Sequence, residues 1–244
     1  MFIHRKEPLH AVEVKSSDPA FAQKLLEQFG GATGELTASL QYFVQSFHTD
    51  DPGLKDMLQN ISTEELGHLE MVGMLIEQHT KKASANVQDA AYKSSLFSLR
   101  GKGPHFLDSQ GSSWKADYIN EGANPVRDLR ANIAAEAGAL ATYEALLAIS
   151  PDEGTTRALQ HLATREVAHT EMFMSALKQM SKLDDAIFGD LKPDDTVNVY
   201  YNLSSSLGGK SERGPWNSEP EFKFVQDPLE QRKKGSLEGG AKRH

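Results

Sequence analysis

Apolar residues recur at helical spacing in four long stretches of the chain, with polar turn signals between them. The first stretch follows Asp18-Pro19, a cap residue with proline at the first helical position. It places Phe21, Leu25, Ala32, Leu36, Ser39 and Phe43 on one face, which predicts a helix over about residues 18–48. The DDPG turn at Asp50 to Gly53 closes it. A second helix then runs over about 54–82, with Leu54, Met57, Leu58, Ile61, Val72, Leu75 and Ile76 inward. Asn124-Pro125 repeats the cap-and-proline signal ahead of a third helix at about 124–149, striped by Val126, Leu129, Ile133, Leu140 and Leu147. After the SPDEG turn comes a fourth, at about 155–182, with Leu159, Leu162, Phe173, Leu177 and Met180.

What lies outside the helices reads differently. The first fifteen residues alternate weakly around Pro8 and predict a small N-terminal β-hairpin. Residues 83–123 lose periodicity and keep scattered anchors at Phe97, Phe106, Trp114 and Tyr118; a connection this long suits a crossover along a bundle. The tail from 183 to 244 is rich in Gly, Pro, Ser and charge, a composition that builds no core of its own and suits an extended segment lying on another surface, such as a neighbouring subunit. The expectation is an all-α core, a four-helix bundle with one long crossover, in a single domain spanning 1–244.

Polar residues interrupt the apolar stripes at matched places. Glu65-x-x-His68 lies inward on the second helix and Glu166-x-x-His169 on the fourth, 101 residues on. Each has a lone glutamate thirty residues upstream, Glu35 and Glu136, also within a stripe. The same offset aligns LKDMLQNISTEELGHLEM with TTRALQHLATREVAHTEM and brings Tyr42 onto Tyr143, so the helix pair is an internal duplication. Residues three apart on a helix lie one turn apart on one side and can reach a single ion together. One Glu from each of two helices and a Glu-x-x-His from each of the other two match the pattern of ferritin-like di-iron and di-manganese bundles. Burying an unpaired carboxylate costs on the order of several kcal/mol, and two divalent cations balance four glutamates charge for charge.

Composition narrows the chemistry. The net charge of −8 comes without a basic run, which removes support for nucleic-acid binding. The absence of cysteine excludes disulfides, thiol peroxidases and iron–sulfur clusters. No signal peptide or membrane-spanning run is visible, so the expected location is the cytoplasm. Oxygen donors with two imidazoles suit manganese or iron, and spacing does not choose between them. Tyr42 and Tyr143 stand two turns beyond their glutamates, placed to steady them or simply to fill the core. Glu64, Glu70, Glu144 and Glu171 read as solvated or inter-helix residues, and His4, His10, His48, His79, His105, His161 and His244 as surface. Asp56 and Asn60, one turn apart, could join Asn202 and Ser204 in a calcium site, but a solvated surface is the favoured reading of them.

In MFIHRKEPL, GELTASLQYFVQSF, STEELGHLEMV, REVAHTEM and NVYYNLSSSLGG, which together span most of its length, the chain resembles the manganese catalases. These are non-haem enzymes that convert hydrogen peroxide to water and dioxygen. The resemblance implies two manganese ions per subunit and no haem. Glu35 and His68 would hold one ion, Glu136 and His169 the other, with Glu65 bridging. Glu166 would be a ligand or an outer carboxylate that moves protons for peroxide. It also implies a homo-oligomer, commonly a hexamer. Members of the family place a basic residue beside the third-helix glutamate or two turns after it, whereas Ala135 and Tyr143 stand there in this chain. A di-iron ferroxidase or oxidase using the same six residues, and a non-catalytic bundle, are the alternative readings.

Overall fold

The structure, a computed structural model, describes residues 3, 5–81, 94–203, 214–217 and 220–229. The chain divides into two compact units, residues 1–188 and 189–244. The first unit holds α1 (Pro19–Gly30), α2 (Glu35–Gln45), α3 (Pro52–Thr80), a short α4 (Ser95–Arg100), α5 (Pro125–Ala148) and α6 (Glu153–Gln179). Each long helix begins as its sequence dictates. Asp18, Asp51, Asn124 and Asp152 cap free N–H groups of the first turns of α1, α3, α5 and α6 through their side chains.

The helix expected over 18–48 is two helices. Gly31 and Gly34 flank the step between them, and the chain packs too closely there for side chains: a Cβ on Gly31 would stand 2.2 Å from the Glu27 carbonyl oxygen, and one on Gly34 2.6 Å from that of Gln28. The step shifts the helical phase. Ala32 is exposed and Leu36 and Phe43 are half-buried, while Ala38, Gln41 and Tyr42 turn inward. It also makes Glu35 the first residue of α2, where the positive end of the helix favours a carboxylate.

α2 packs on α3, α1 on α3 and α5 on α6, which gives the antiparallel pairs of a four-helix bundle. Two apolar clusters fill it. One contains Leu25, Leu26, Met71, Leu75, Ile76, Tyr143, Leu146, Leu159 and Leu162. The other contains Tyr42, Leu54, Leu58, Ile61, Leu129, Phe173 and Leu177. Along every core helix the chain leaves one cluster and enters the other across a polar residue, at Glu35, at Glu65 and His68, at Glu136, and at Glu166 and His169. The polar layer therefore lies between two greasy ones.

Before α1 the described residues form no strand, so the expected hairpin is replaced by a strap. Val12 and Val14 pack on the core, and their backbone bonds to a helix side chain instead of a sister strand. The Val14 N–H donates to Gln78 Oε1 at 2.9 Å, and Gln78 Nε2 donates to the Val12 carbonyl at 3.1 Å. The crossover, described from residue 94 onward, is anchored by the buried Phe97 and Leu107 and by Trp114, whose indole N–H donates to Thr37 Oγ1 at 3.0 Å. Phe106 stays exposed. In the second unit, Val199–Tyr201 pairs in parallel with Lys223–Val225, with Val225 and Asn217 buried. No helix among the described residues is long and apolar enough to cross a membrane.

His79, read from sequence as a surface residue, is fully buried. Its Nδ1 accepts the Asp18 N–H at 3.2 Å, its Nε2 donates to Thr155 Oγ1 at 3.1 Å, and its ring meets Phe21 edge-on. Burial holds its pKa below 6.5 despite the nearby Asp152 and Asp18. A histidine with a depressed folded pKa resists a proton that the unfolded chain accepts, so stability is lost as pH falls below 6.5. Thermal unfolding followed from neutral to mildly acidic pH is expected to show a falling midpoint, with a shallower fall in His79→Gln.

Candidate metal centre

All six side chains expected from the repeat meet in the polar layer, and none is more than 1% exposed. They form two overlapping groups, Glu35, Glu65, His68 and Glu166, and Glu65, Glu136, Glu166 and His169. Within each group the donor atoms all lie within 4.8 Å of one another. Glu65 sits at the middle, with Oε2 2.8 Å from His68 Nδ1 and Oε1 2.8 Å from His169 Nδ1. Glu35 and Glu136 flank it symmetrically, each 3.8 Å from its own histidine's Nδ1, and Glu166 Oε1 lies 3.7 Å from His68 Nδ1. The imidazole rings are 5.6 Å apart and inclined by 23°.

The tyrosines cross over between the repeats. Tyr42 donates to Glu136 Oε1 at 2.6 Å, and Tyr143 donates to Glu35. Each copy of the repeat thus steadies the other copy's glutamate, a pairing that offset alone does not disclose.

Burial and neighbouring charge act against each other across these side chains. Burial, then the charge of Glu65, pushes the Glu35 carboxyl well above the usual range. Burial and the surrounding carboxylates Glu35, Glu65 and Glu136 do the same to Glu166. Glu136 is pushed up to about 7 by burial and by Glu65. Burial also presses on Glu65, but the two histidines outweigh it and hold it at about 2. The imidazoles, opposed by burial, are held up by Glu64 and Glu65 to about 10 for His68 and about 9 for His169. Burial thus opposes charge on these carboxylates, and positive charge beside them, as the two imidazoles bring to Glu65, offsets it.

The residues fit a pair of metal ions on that count and on another. Among buried polar atoms left without a hydrogen-bond partner are Glu35 Oε2, Glu136 Oε2, Glu166 Oε1 and the Nε2 atoms of His68 and His169, all in this cluster. Buried groups are normally satisfied, so a concentration of orphans marks a place for a ligand.

A cavity of about 380 Å³ reaches the cluster from outside. Ala131, Ala134, Ala135 and Ala139 of α5 form one wall, and Glu136 and Glu166 also line it. Ala135 thus contributes space where a basic side chain was the family expectation, and Tyr143 contributes its bond to Glu35.

Glu64 has a larger place than its sequence reading gave. It pairs with Arg165 on α6 through a 2.6 Å contact, and it also faces both buried histidines. The signal was in the repeat, where position 64 aligns with 165 and the two carry opposite charge. Asp56 and Asn60 bond to each other on the surface of α3 at 3.1 Å, and Asn202 bonds to the Gln226 carbonyl within the second unit. Ser204 lies outside the described residues. Among the described residues, no candidate ion-holding group includes Asp56.

A four-helix bundle with duplicated, buried Glu and Glu-x-x-His sites defines the ferritin-like class of carboxylate-rich two-metal proteins. Within that class the comparisons are specific. The family model of manganese-containing catalase matches residues 1–242, and the chain belongs to that family. It is similar to a probable manganese catalase of Clostridium acetobutylicum, 33% identical, over 91% of this chain and 98% of that one. It is also similar to the manganese catalase of Lactiplantibacillus plantarum, 29% identical, over 93% and 92%. Among solved structures, the wild-type KatB manganese catalase from Anabaena is 63% identical with a TM-score of 0.86, covering 93% of this chain and all of that one.

Proposed function

We propose that this chain disproportionates hydrogen peroxide, two molecules giving two of water and one of dioxygen, at two manganese ions held by Glu35, Glu65, His68, Glu136 and His169. The observation that carries the reading is the convergence of orphaned carboxylate and imidazole atoms in a chain of the manganese catalase family. Glu35 with His68 would hold one ion and Glu136 with His169 the other, with Glu65 shared because its two oxygens face the two Nδ1 atoms. Manganese bound there supplies a two-electron couple that one peroxide fills and the next empties.

The remaining steps belong to the protein. The alanine wall leaves a passage for a small uncharged substrate down to the carboxylates. Glu166 lies at that cavity, and burial favours its protonated form, so its Oε1 is placed to hold and return the proton that peroxide loses and water gains. Tyr42 and Tyr143 fix Glu136 and Glu35 from behind. The apolar clusters above and below bound the layer on its two other sides.

A homo-oligomer, in the form of a hexamer, is part of the same proposal; exposed Leu66 and Val167, at equivalent positions of the repeat, offer apolar surface for it. Purified protein is expected to carry about two manganese ions per chain and to release oxygen from peroxide in the presence of cyanide, which stops haem catalases. Iron in place of manganese, with oxidation of ferrous ion outpacing oxygen release, contradicts the proposal and favours a ferroxidase.

A further inference from the structure

We propose that Glu64 is a positioning residue for both histidines of the centre, turning their Nδ1 atoms inward from behind, and that Arg165 clamps Glu64 in place; this rests on the two-metal reading above. An imidazole that offers one nitrogen to a metal carries its proton on the other, and that N–H needs an acceptor to fix the ring and its tautomer. His68 and His169 are fully buried, and both turn Nδ1 toward Glu65. Their Nε2 atoms have no hydrogen-bond partner. One carboxylate faces both. Glu64 Oε1 lies 3.5 Å from His68 Nε2, and Oε2 lies 3.3 Å from His169 Nε2, each just beyond hydrogen-bond length. Adjacent residues thus bracket the two rings, Glu65 on the inner nitrogens and Glu64 on the outer ones.

Arg165 completes the arrangement. Its Nε donates to Glu64 Oε1 at 2.6 Å and its Nη2 to Oε2 at 3.4 Å, so the guanidinium grips the carboxylate by both oxygens. Glu64 and Arg165 are half-buried at 25% and 29% exposure, which screens this pair less than a surface one. The duplication explains why one acid serves two rings. Position 165 is the repeat equivalent of 64, and an acid in both places would set two carboxylates against each other behind the same histidines. An arginine there converts repulsion into a clamp. Because Glu64 reaches both rings, its loss acts on both ion positions together.

The test compares the wild-type chain with Glu64→Ala, Arg165→Met and the exchange E64R/R165E, reading manganese affinity by chelator competition. Glu64→Ala is expected to weaken binding about 10–100-fold, and Arg165→Met by less. The exchange, which returns a carboxylate behind the rings from α6, is expected to recover most of the loss. Zinc serves as a diamagnetic stand-in for proton NMR, in which the imidazole Nε2–H signals of the wild type move upfield in Glu64→Ala. A wild type that binds manganese beside a Glu64→Ala that binds it equally well, with unmoved ring signals, overturns the inference and leaves the function standing. A wild type without affinity for manganese overturns both.

Discussion

Glu65→Ala is expected to lose its manganese and its oxygen release together. The effect should exceed the roughly 10–100-fold typical of losing an outer hydrogen-bonding partner of a ligand, because Glu65 alone faces both histidine Nδ1 atoms at 2.8 Å. Its removal also takes away the carboxylate that the two histidines hold at about 2, while burial pushes Glu35 and Glu166 well above the usual range. The apolar clusters on either side of the layer, which carry the helix packing, are untouched by the change. Circular dichroism should report native helicity in a protein whose elemental analysis shows no manganese. Retention of both manganese and activity contradicts the assignment of Glu65 as the shared ligand.

The second large effect is expected from closing the cavity. Ala135 lines the passage of about 380 Å³ whose inner end holds Glu136 and Glu166. Phenylalanine at that position fills much of the space, and interiors have little room to yield. Ala135→Phe is expected to lower kcat/KM for peroxide at least about tenfold, the mark of an interaction lost before or at the transition state, with manganese content unchanged. Ala135→Ser should behave as the wild type. Undiminished turnover in a fully loaded Ala135→Phe protein places the peroxide route elsewhere.

The outline of this site was legible because a buried ion is expensive. Four glutamates and two histidines within apolar stripes, repeated at one offset, leave few arrangements that satisfy them, and the structure brings those six together. The capping residues were legible for the same local reasons: Asp18, Asp51, Asn124 and Asp152 each act within a few residues of themselves. What sequence periodicity missed depends on neighbours distant along the chain. The step at Gly31 to Gly34 is set by how closely the backbone packs there, so a stripe that looks continuous changes phase at Ala32. Val12 and Val14 alternate like a strand, yet the group that completes their backbone bonding is the side chain of Gln78. His79 has no partner in the repeat because its partners are the Asp18 N–H and Thr155, at the openings of two other helices. The crossing of Tyr42 to Glu136 and Tyr143 to Glu35 needs the helices packed before it can be seen.

Anomalous diffraction recorded at the manganese absorption edge, from crystals of protein shown to release oxygen from peroxide, tests the central claim most directly. Two peaks about 3.5–4 Å apart, each beside one histidine Nδ1 with the Glu65 carboxylate between them, are the predicted result. An active protein whose manganese scatters from any other place, or whose cluster of Glu35, Glu65, His68, Glu136, Glu166 and His169 shows no anomalous signal, contradicts it.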